Sequence, residues 1–399
     1  MLGRIRYKIG TGCSGSPSSR KTLLMPTFTT SFGRPIQFIE GYKAAHPRLT
    51  LADIVTPYAD MVPDHGTMGI DGFIKDVYEY ATMIDFLERH GVQAVWERGL
   101  DIGGAEGTIS RLFRGEGRLK YAVTIDSSDV RGRLTTAAFV KHYARFKAAC
   151  AVSRVSPILR RFLVGDAVWR GKRLSSMYNH WGYWPIPSST FWKLRLRGVP
   201  GIDRYIVGDV YKLDEQFDLI TAFYCLDYFN IENIFEKVSS LLTEGGTFCF
   251  GVNYWWYPVN ASGIVGDFPY CCQRLTRDDL RRYFEEFYPE EADDVMRRYD
   301  YFHCGAIRPT MSDFVEIASR HNLSLIAAER LAPPRDYHHR SKVTPRLLDQ
   351  FEDSLLEDVL KDIRQFRPDV GMLDLHTAHA MAAFQKRSKC GGSISESLR

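Results

Sequence analysis

The chain has 399 residues, of which 45% are hydrophobic and 25% charged, and a formal net charge of +4. That is the composition of a folded protein larger than one ordinary domain, and no stretch approaches the ~18 continuous apolar residues of a membrane-spanning helix. The eight cysteines form no CxxC pair, which excludes a zinc ribbon or a regular disulfide framework and leads to the expectation of reduced thiols in a cytoplasmic protein.

The first acid is Glu40, and before it stand Arg4, Arg6, Lys8, Arg20, Lys21 and Arg34 among Ser, Thr and Gly. This looks like a targeting leader in composition, but it has neither an apolar core nor an amphipathic helix. Residues 1–70 are therefore read as a partly disordered N-terminal arm. Further on, Gly99-Leu-Asp101-Ile-Gly103-Gly104-Ala105-Glu-Gly107-Thr108 carries an apolar run into a glycine-rich turn, with a helix starting at about Thr108. A second run, from Tyr121, ends on a carboxylate, Asp126, nineteen residues beyond Gly107. Glycine lets backbone approach a ligand without a Cβ in the way, and an acid at that distance reaches the two hydroxyls of a ribose. A nicotinamide fingerprint needs G-x-G-x-x-G, and here Ala105 and Thr108 take its second and third glycine positions.

Residues 204–210 read as a third strand ending in Gly-Asp at Asp209, and 217–223 as a fourth, followed by Tyr224-Cys-Leu-Asp227-Tyr-Phe229. A helix over 231–242 leads through Gly245-Gly246 into a fifth strand. A helix over 311–322 precedes a strand over 324–331, and 379–386 reads as the last strand. In this order the motifs resemble the class I S-adenosylmethionine (SAM)-dependent methyltransferases, whose turn reads D-x-G-x-G-x-G; Ala105 stands where the middle glycine would be. The resemblance covers roughly residues 95–386, interrupted by insertions. It implies an α/β fold with a Rossmann-like, seven-stranded, mostly parallel sheet, an antiparallel last strand, helices on both faces and a cap of helical insertions. It also implies SAM as the cofactor. The turn would contribute Asp101, Gly103, Ala105 and Gly107; the later strand ends would add Asp126 with Ser127, Asp209 with Val210, and Phe223.

The implied plan places the core in 71–129, 203–256 and 310–386, with a tail at 387–399. The insertion at 130–202 holds fourteen Lys or Arg against the single acid Asp166, so the rest of the chain is net negative. It also holds eleven aromatics: Phe139, Tyr143, Phe146, Phe162, Trp169, Tyr178, Trp181, Tyr183, Trp184, Phe191 and Trp192. Its first half reads as an amphipathic helix and its second as an aromatic loop. Such a block suits an anionic or glycan acceptor, an anionic membrane surface or RNA; the plainer reading is a cap whose aromatics are its own core. A second insertion, 257–309, is acid-rich and helical. A third, 336–365, has helical apolar spacing at Leu347, Phe351, Leu355, Leu356, Val359, Leu360 and Ile363.

Methyl transfer from a sulfonium chiefly needs alignment and exclusion of water, and a hydroxyl acceptor also needs a base. The family often has a carboxylate-histidine pair after the fourth strand, where this chain has Asp227-Tyr228. The candidate bases are therefore Asp227, His180 in the aromatic loop, and His303. No metal constellation stands out, so a metal-independent enzyme is expected. The expected function is O-methylation of a negatively charged glycan, lipid-linked or specialised-metabolite acceptor, by a cytoplasmic enzyme in peripheral contact with an anionic membrane. One alternative is an RNA methyltransferase, disfavoured because no RNA-binding module is evident. Another is a non-catalytic SAM-binding regulator, disfavoured because Asp101, Gly103, Gly107, Asp126 and Asp209 are all kept.

Overall fold

The computed structural model describes residues 26–45, 70–92, 95–155, 193–256, 262–303, 308–331 and 353–388. In chain order the elements begin with a hairpin of β1 (Thr27–Thr29) and β2 (Pro35–Gln37), then α1 (Ile70–Arg89), β3 (Trp96–Ile102), α2 (Thr108–Gly115) and β4 (Leu119–Asp126). Next come α3 (Thr136–Val155), β5 (Arg204–Val207), β6 (Phe217–Phe223), α4 (Ile231–Leu241) and β7 (Leu242–Asn253). The remainder comprises α5 (Cys271–Arg274), α6 (Arg277–Phe287), α7 (Pro289–His303), α8 (Met311–Arg320), β8 (Leu323–Leu331), α9 (Asp353–Ile363), α10 (Met372–His376) and β9 (His379–Lys386).

Seven strands form one sheet in the order β5-β4-β3-β6-β7-β9-β8. The first five are parallel, and the last strand, β9, runs antiparallel between β7 and β8. This is the sheet that the sequence implied. Its central strands are near-continuous apolar runs because helices cover both faces. On one face Phe73, Tyr80 and Phe86 of α1, Leu112 and Phe113 of α2, and Phe139 and Phe146 of α3 are buried together. On the other, Phe235 of α4 and Phe314 of α8 pack with Phe248, Phe250 and Phe384 of the sheet. Helix α4 starts where the Asn230 side chain accepts the Asn233 N–H, and α8 where Thr310 and Asp313 form a reciprocal capping box.

The N-terminal arm departs from the expectation over residues 26–45. Phe28 and Ile36 of the hairpin are buried in the main core. Asp279 of α6 accepts from both the backbone N–H (2.9 Å) and the hydroxyl (2.8 Å) of Ser31. Asp362 of α9 pairs with Arg34 and, at 2.6 Å, with Arg274. Lys43 reaches Glu291 at 2.9 Å and lies 3.1 Å from the centre of the Tyr288 ring. Composition marks a segment as polar and basic; it does not show that each of these groups has a matching partner two hundred or more residues away. The hairpin, α5–α7 and α9 are thus tied together, and helices over the second insertion are present as α6 and α7. In the third, Leu356, Val359, Leu360 and Ile363 are buried as expected, whereas Leu347 and Phe351 lie outside the described residues.

The basic insertion begins with α3, as read from its spacing. Its Phe139, Tyr143 and Phe146 are core residues under α1, and the Tyr143 hydroxyl donates to the Leu194 carbonyl at 2.9 Å. For these three the plainer reading holds. The other eight aromatics lie outside the described residues. No described helix is long and apolar enough to cross a membrane.

Candidate functional site

Register brings the sequence-read residues to one end of the sheet. Ile102 of β3 stands beside Ile125 of β4 and Ala222 of β6, and Asp126 beside Val207 of β5. The glycine turn, Asp126, Asp209 and the segment after β6 therefore share the carboxyl edge of the parallel strands, where open α/β sheets hold their ligands. Gly103, Ala105 and Gly107 all have positive φ (64°, 44° and 74°). Ala105 is held there although it is not glycine: its N–H donates to Asp126 Oδ2 at 3.1 Å, and its carbonyl lies 2.9 Å from the Tyr205 hydroxyl. That hydroxyl is also 3.1 Å from the Ser128 carbonyl, so Tyr205 ties the turn to the segment after β4.

Packing within the protein supplies a reason for these glycines. A Cβ at Gly103 would stand 2.7 Å from that of Cys225, and one at Gly104 2.5 Å from Asp101 Oδ2 and 2.7 Å from Thr124 Cγ2. At Gly107 it would fall on the Ile202 Cδ1 methyl. Absence of side chains lets the turn seat on the strand ends.

Asp101 is 3% exposed. Its Oδ1 accepts from Thr221 Oγ1 at 2.7 Å, while Oδ2 has no hydrogen-bond partner among the described residues. Burial pushes its pKa up to about 7 against the Thr221 bond, with further repulsion from Asp76, Glu79 and Asp126. Burial likewise raises Asp76, with Lys75 opposing it. Lys75 reaches Glu79 at 2.6 Å. Sequence reading missed these three residues of α1. Charges at i, i+1 and i+4 on an otherwise buried helix were the available signal, but only the fold shows that they face the turn.

Asp126 is half-buried, and its Oδ1 accepts from Ser128 N–H at 2.9 Å; Ser127 beside it is exposed. Asp209 is exposed and caps a 3-10 turn by accepting the Tyr211 N–H at 3.0 Å, and Val210 behind it is buried. Phe223 belongs to the core, where its ring would meet a Cβ placed on Gly251 at 2.9 Å.

Asp227 lies in the turn after β6, half-buried and hydrogen-bonded to Asn253; burial pushes it up to about 7. Asn253 pairs with His379 across β7 and β9. The His379 ring meets the ring of Tyr224 edge-on at 5.5 Å. Tyr224 itself has φ +50°, and its N–H is held by the Gly251 carbonyl at 2.8 Å. Sequence reading found Asp227 but not Tyr224, Asn253 or His379 as a group. His180 lies outside the described residues. His303 ends α7, and its side chain is likewise outside them.

The donor set fits SAM. An acidic floor with an orphaned carboxylate oxygen at Asp101 suits the ammonium group of the amino-acid end, and Asp126 suits the ribose. Among the described residues no group of three His, Cys, Asp or Glu side chains is set to hold a metal ion.

No protein-family model and no curated protein matches the chain. Among the solved structures similar to it is a SAM-dependent methyltransferase from Mesorhizobium loti, 14% identical, with 79% of this chain and 100% of that one covered and a TM-score of 0.36. Another is phosphoethanolamine N-methyltransferase 2 of Haemonchus contortus in complex with SAM (12% identical; 89% and 62% covered; TM-score 0.37). A third is geranyl diphosphate C-methyltransferase of Streptomyces coelicolor with Mg2+, geranyl diphosphate and S-adenosylhomocysteine (13% identical; 81% and 85% covered; TM-score 0.35).

Proposed function

We propose that the chain is a SAM-dependent methyltransferase. The observation that carries this is the junction of the glycine turn with Asp126, set above the buried, half-partnered carboxyl of Asp101. SAM would supply a methyl group on a sulfonium. The chain's own part is to hold the ribose at Asp126, to meet the ammonium group with Asp101, Asp76 and Glu79, and to place an acceptor against the cleft wall of Tyr224, Asp227 and His379. Asp227, with its raised pKa and its Asn253 support, is the group to take a hydroxyl proton at neutral pH. Asp227→Asn is expected to lower kcat by about 10²-fold or more with SAM affinity unchanged. Equal turnover by the variant would remove Asp227 from that role.

Binding should depend on pH in a definite sense. A cation favours the ionised carboxyl, so below about pH 7 it must displace a proton from Asp101. SAM affinity is therefore expected to fall on acidification from neutral pH, by at most about tenfold per pH unit, and this dependence should flatten in Asp101→Asn. Calorimetry across that range checks it; an affinity that rises on acidification would contradict the assignment.

For the acceptor, the proposed reading is O-methylation of a negatively charged glycan, lipid-linked or specialised-metabolite molecule by a peripheral cytoplasmic protein. The support is the fourteen-to-one excess of basic over acidic residues in 130–202. Arg160, Arg161, Arg170 and Arg173 lie outside the described residues. Reversing them to Glu is expected to raise the acceptor KM or abolish sedimentation with anionic liposomes, most clearly below physiological salt, and to leave SAM affinity within about threefold. A variant that matches the parent in turnover, liposome and RNA gel-shift assays would make the block a solvated face.

A further inference from the structure

Arg111 of α2 is 8% exposed, and its Nη1 donates to Thr136 Oγ1 at 3.1 Å while its buried Nε has no partner. Among the described residues no carboxylate pairs with it. Thr136 is the first residue of α3, a helix of 20 residues. The guanidinium is therefore set against the positive end of a helix dipole, an arrangement that raises the cost of burying its charge. Arg133, in the 3-10 turn just before α3, adds two more buried N–H groups without partners, Nε and Nη2. Its Nη1 is 3.6 Å from Glu106 Oε1, at the edge of ion-pair range.

We propose that the space between α2 and the start of α3 is an oxyanion subsite, where Arg111, Arg133 and the α3 N-terminus hold a phosphate or carboxylate group of a ligand. Arg111 bonds to the first residue of α3, Arg133 stands three residues before it, and among the described residues three of their buried N–H groups meet no protein oxygen. An oxyanion offers several acceptor lone pairs and one or two negative charges, which satisfies the donors and neutralises the charge together. Burial lowers the Arg111 pKa, and no acid offsets that effect. The subsite opens the basic insertion at the side of the glycine turn, where Glu106 lies between Arg133 and Asp76. The oxyanion then comes from one of two sources: the carboxylate of SAM or an anionic group of the acceptor. The subsite itself does not rest on the SAM reading.

The test is thermal unfolding of the full chain in inorganic phosphate, acetate and chloride at matched ionic strength. Phosphate or acetate is expected to raise Tm saturably over chloride. Arg111→Met should abolish that response while its Tm in chloride equals or exceeds the parent's, because methionine fills the space with no charge to desolvate. Arg133→Met should weaken the oxyanion about tenfold or more. Three results would each overturn the proposal: no response of the parent to either oxyanion, an unchanged response in Arg111→Met, or a clear loss of Tm in chloride for that variant, which would make Arg111 a structural strut. Competition separates the sources. Phosphate should weaken binding of SAM but not of 5′-methylthioadenosine if the carboxylate is SAM's, and of neither if the group belongs to the acceptor. Should SAM fail to bind at all, the phosphate response still decides on the subsite.

Discussion

Replacing Asp126 by alanine is expected to weaken SAM binding by roughly ten- to a hundredfold, about 1.5–3 kcal/mol for loss of hydrogen bonds to a charged acceptor. The two carboxylate oxygens each accept one backbone N–H, from Ala105 and Ser128, and each keeps a lone pair for a ribose hydroxyl. The variant therefore loses the ribose acceptor and also the bond that fixes Ala105 at positive φ, so part of the loss comes from a looser turn. Asp126→Asn retains one acceptor oxygen and should fall between the two. Isothermal calorimetry with SAM and S-adenosylhomocysteine checks both variants, with Tm measured alongside to show that they fold. An unchanged affinity, or tight binding of NADH by the parent, would end the reading of this edge as a SAM site.

Gly107→Val is expected to act on folding before it acts on ligand. The residue has φ +74°, it caps α2, and a Cβ there falls on Ile202 Cδ1 with Thr124 Oγ1 at 3.2 Å. A β-branched residue in the left-handed region costs on the order of 1–3 kcal/mol, and the added bulk about as much again. Together these come to about 2–6 kcal/mol, a large share of the stability of an ordinary domain. Urea unfolding should show the loss directly. Ile202→Ala in the same chain should restore the packing part and leave the backbone part. A Gly107→Val protein that unfolds with the parent but no longer binds SAM would instead put the ligand's path over this glycine.

The sequence by itself determined the sheet and its ligand edge. Alternation of apolar runs with glycine turns and helical spacing is local information, and it fixed the order of the motifs from Asp101 through Asp126, Asp209 and Asp227 to β9. Parallel register then had to align those strand ends, because buried strands pair where their apolar runs overlap. What the sequence could not carry was which distant side chains meet. The arm ahead of Glu40 is basic in composition, yet at residues 26–45 it is tied down because Ser31 and Arg34 find Asp279 and Asp362 far along the chain. The aromatics of α3 looked like a binding surface and are core because α1 lies on them. No sequence pattern singles out Asp76 and Glu79, and only the fold sets them beside the buried Asp101. Arg111 falls in the helix read from Thr108, and only tertiary packing shows that it is buried against another helix's positive end, with no carboxylate paired to it among the described residues. In each case the deciding quantity is the environment of a charge or a ring. That depends on contacts between segments remote in sequence, which local pattern does not encode.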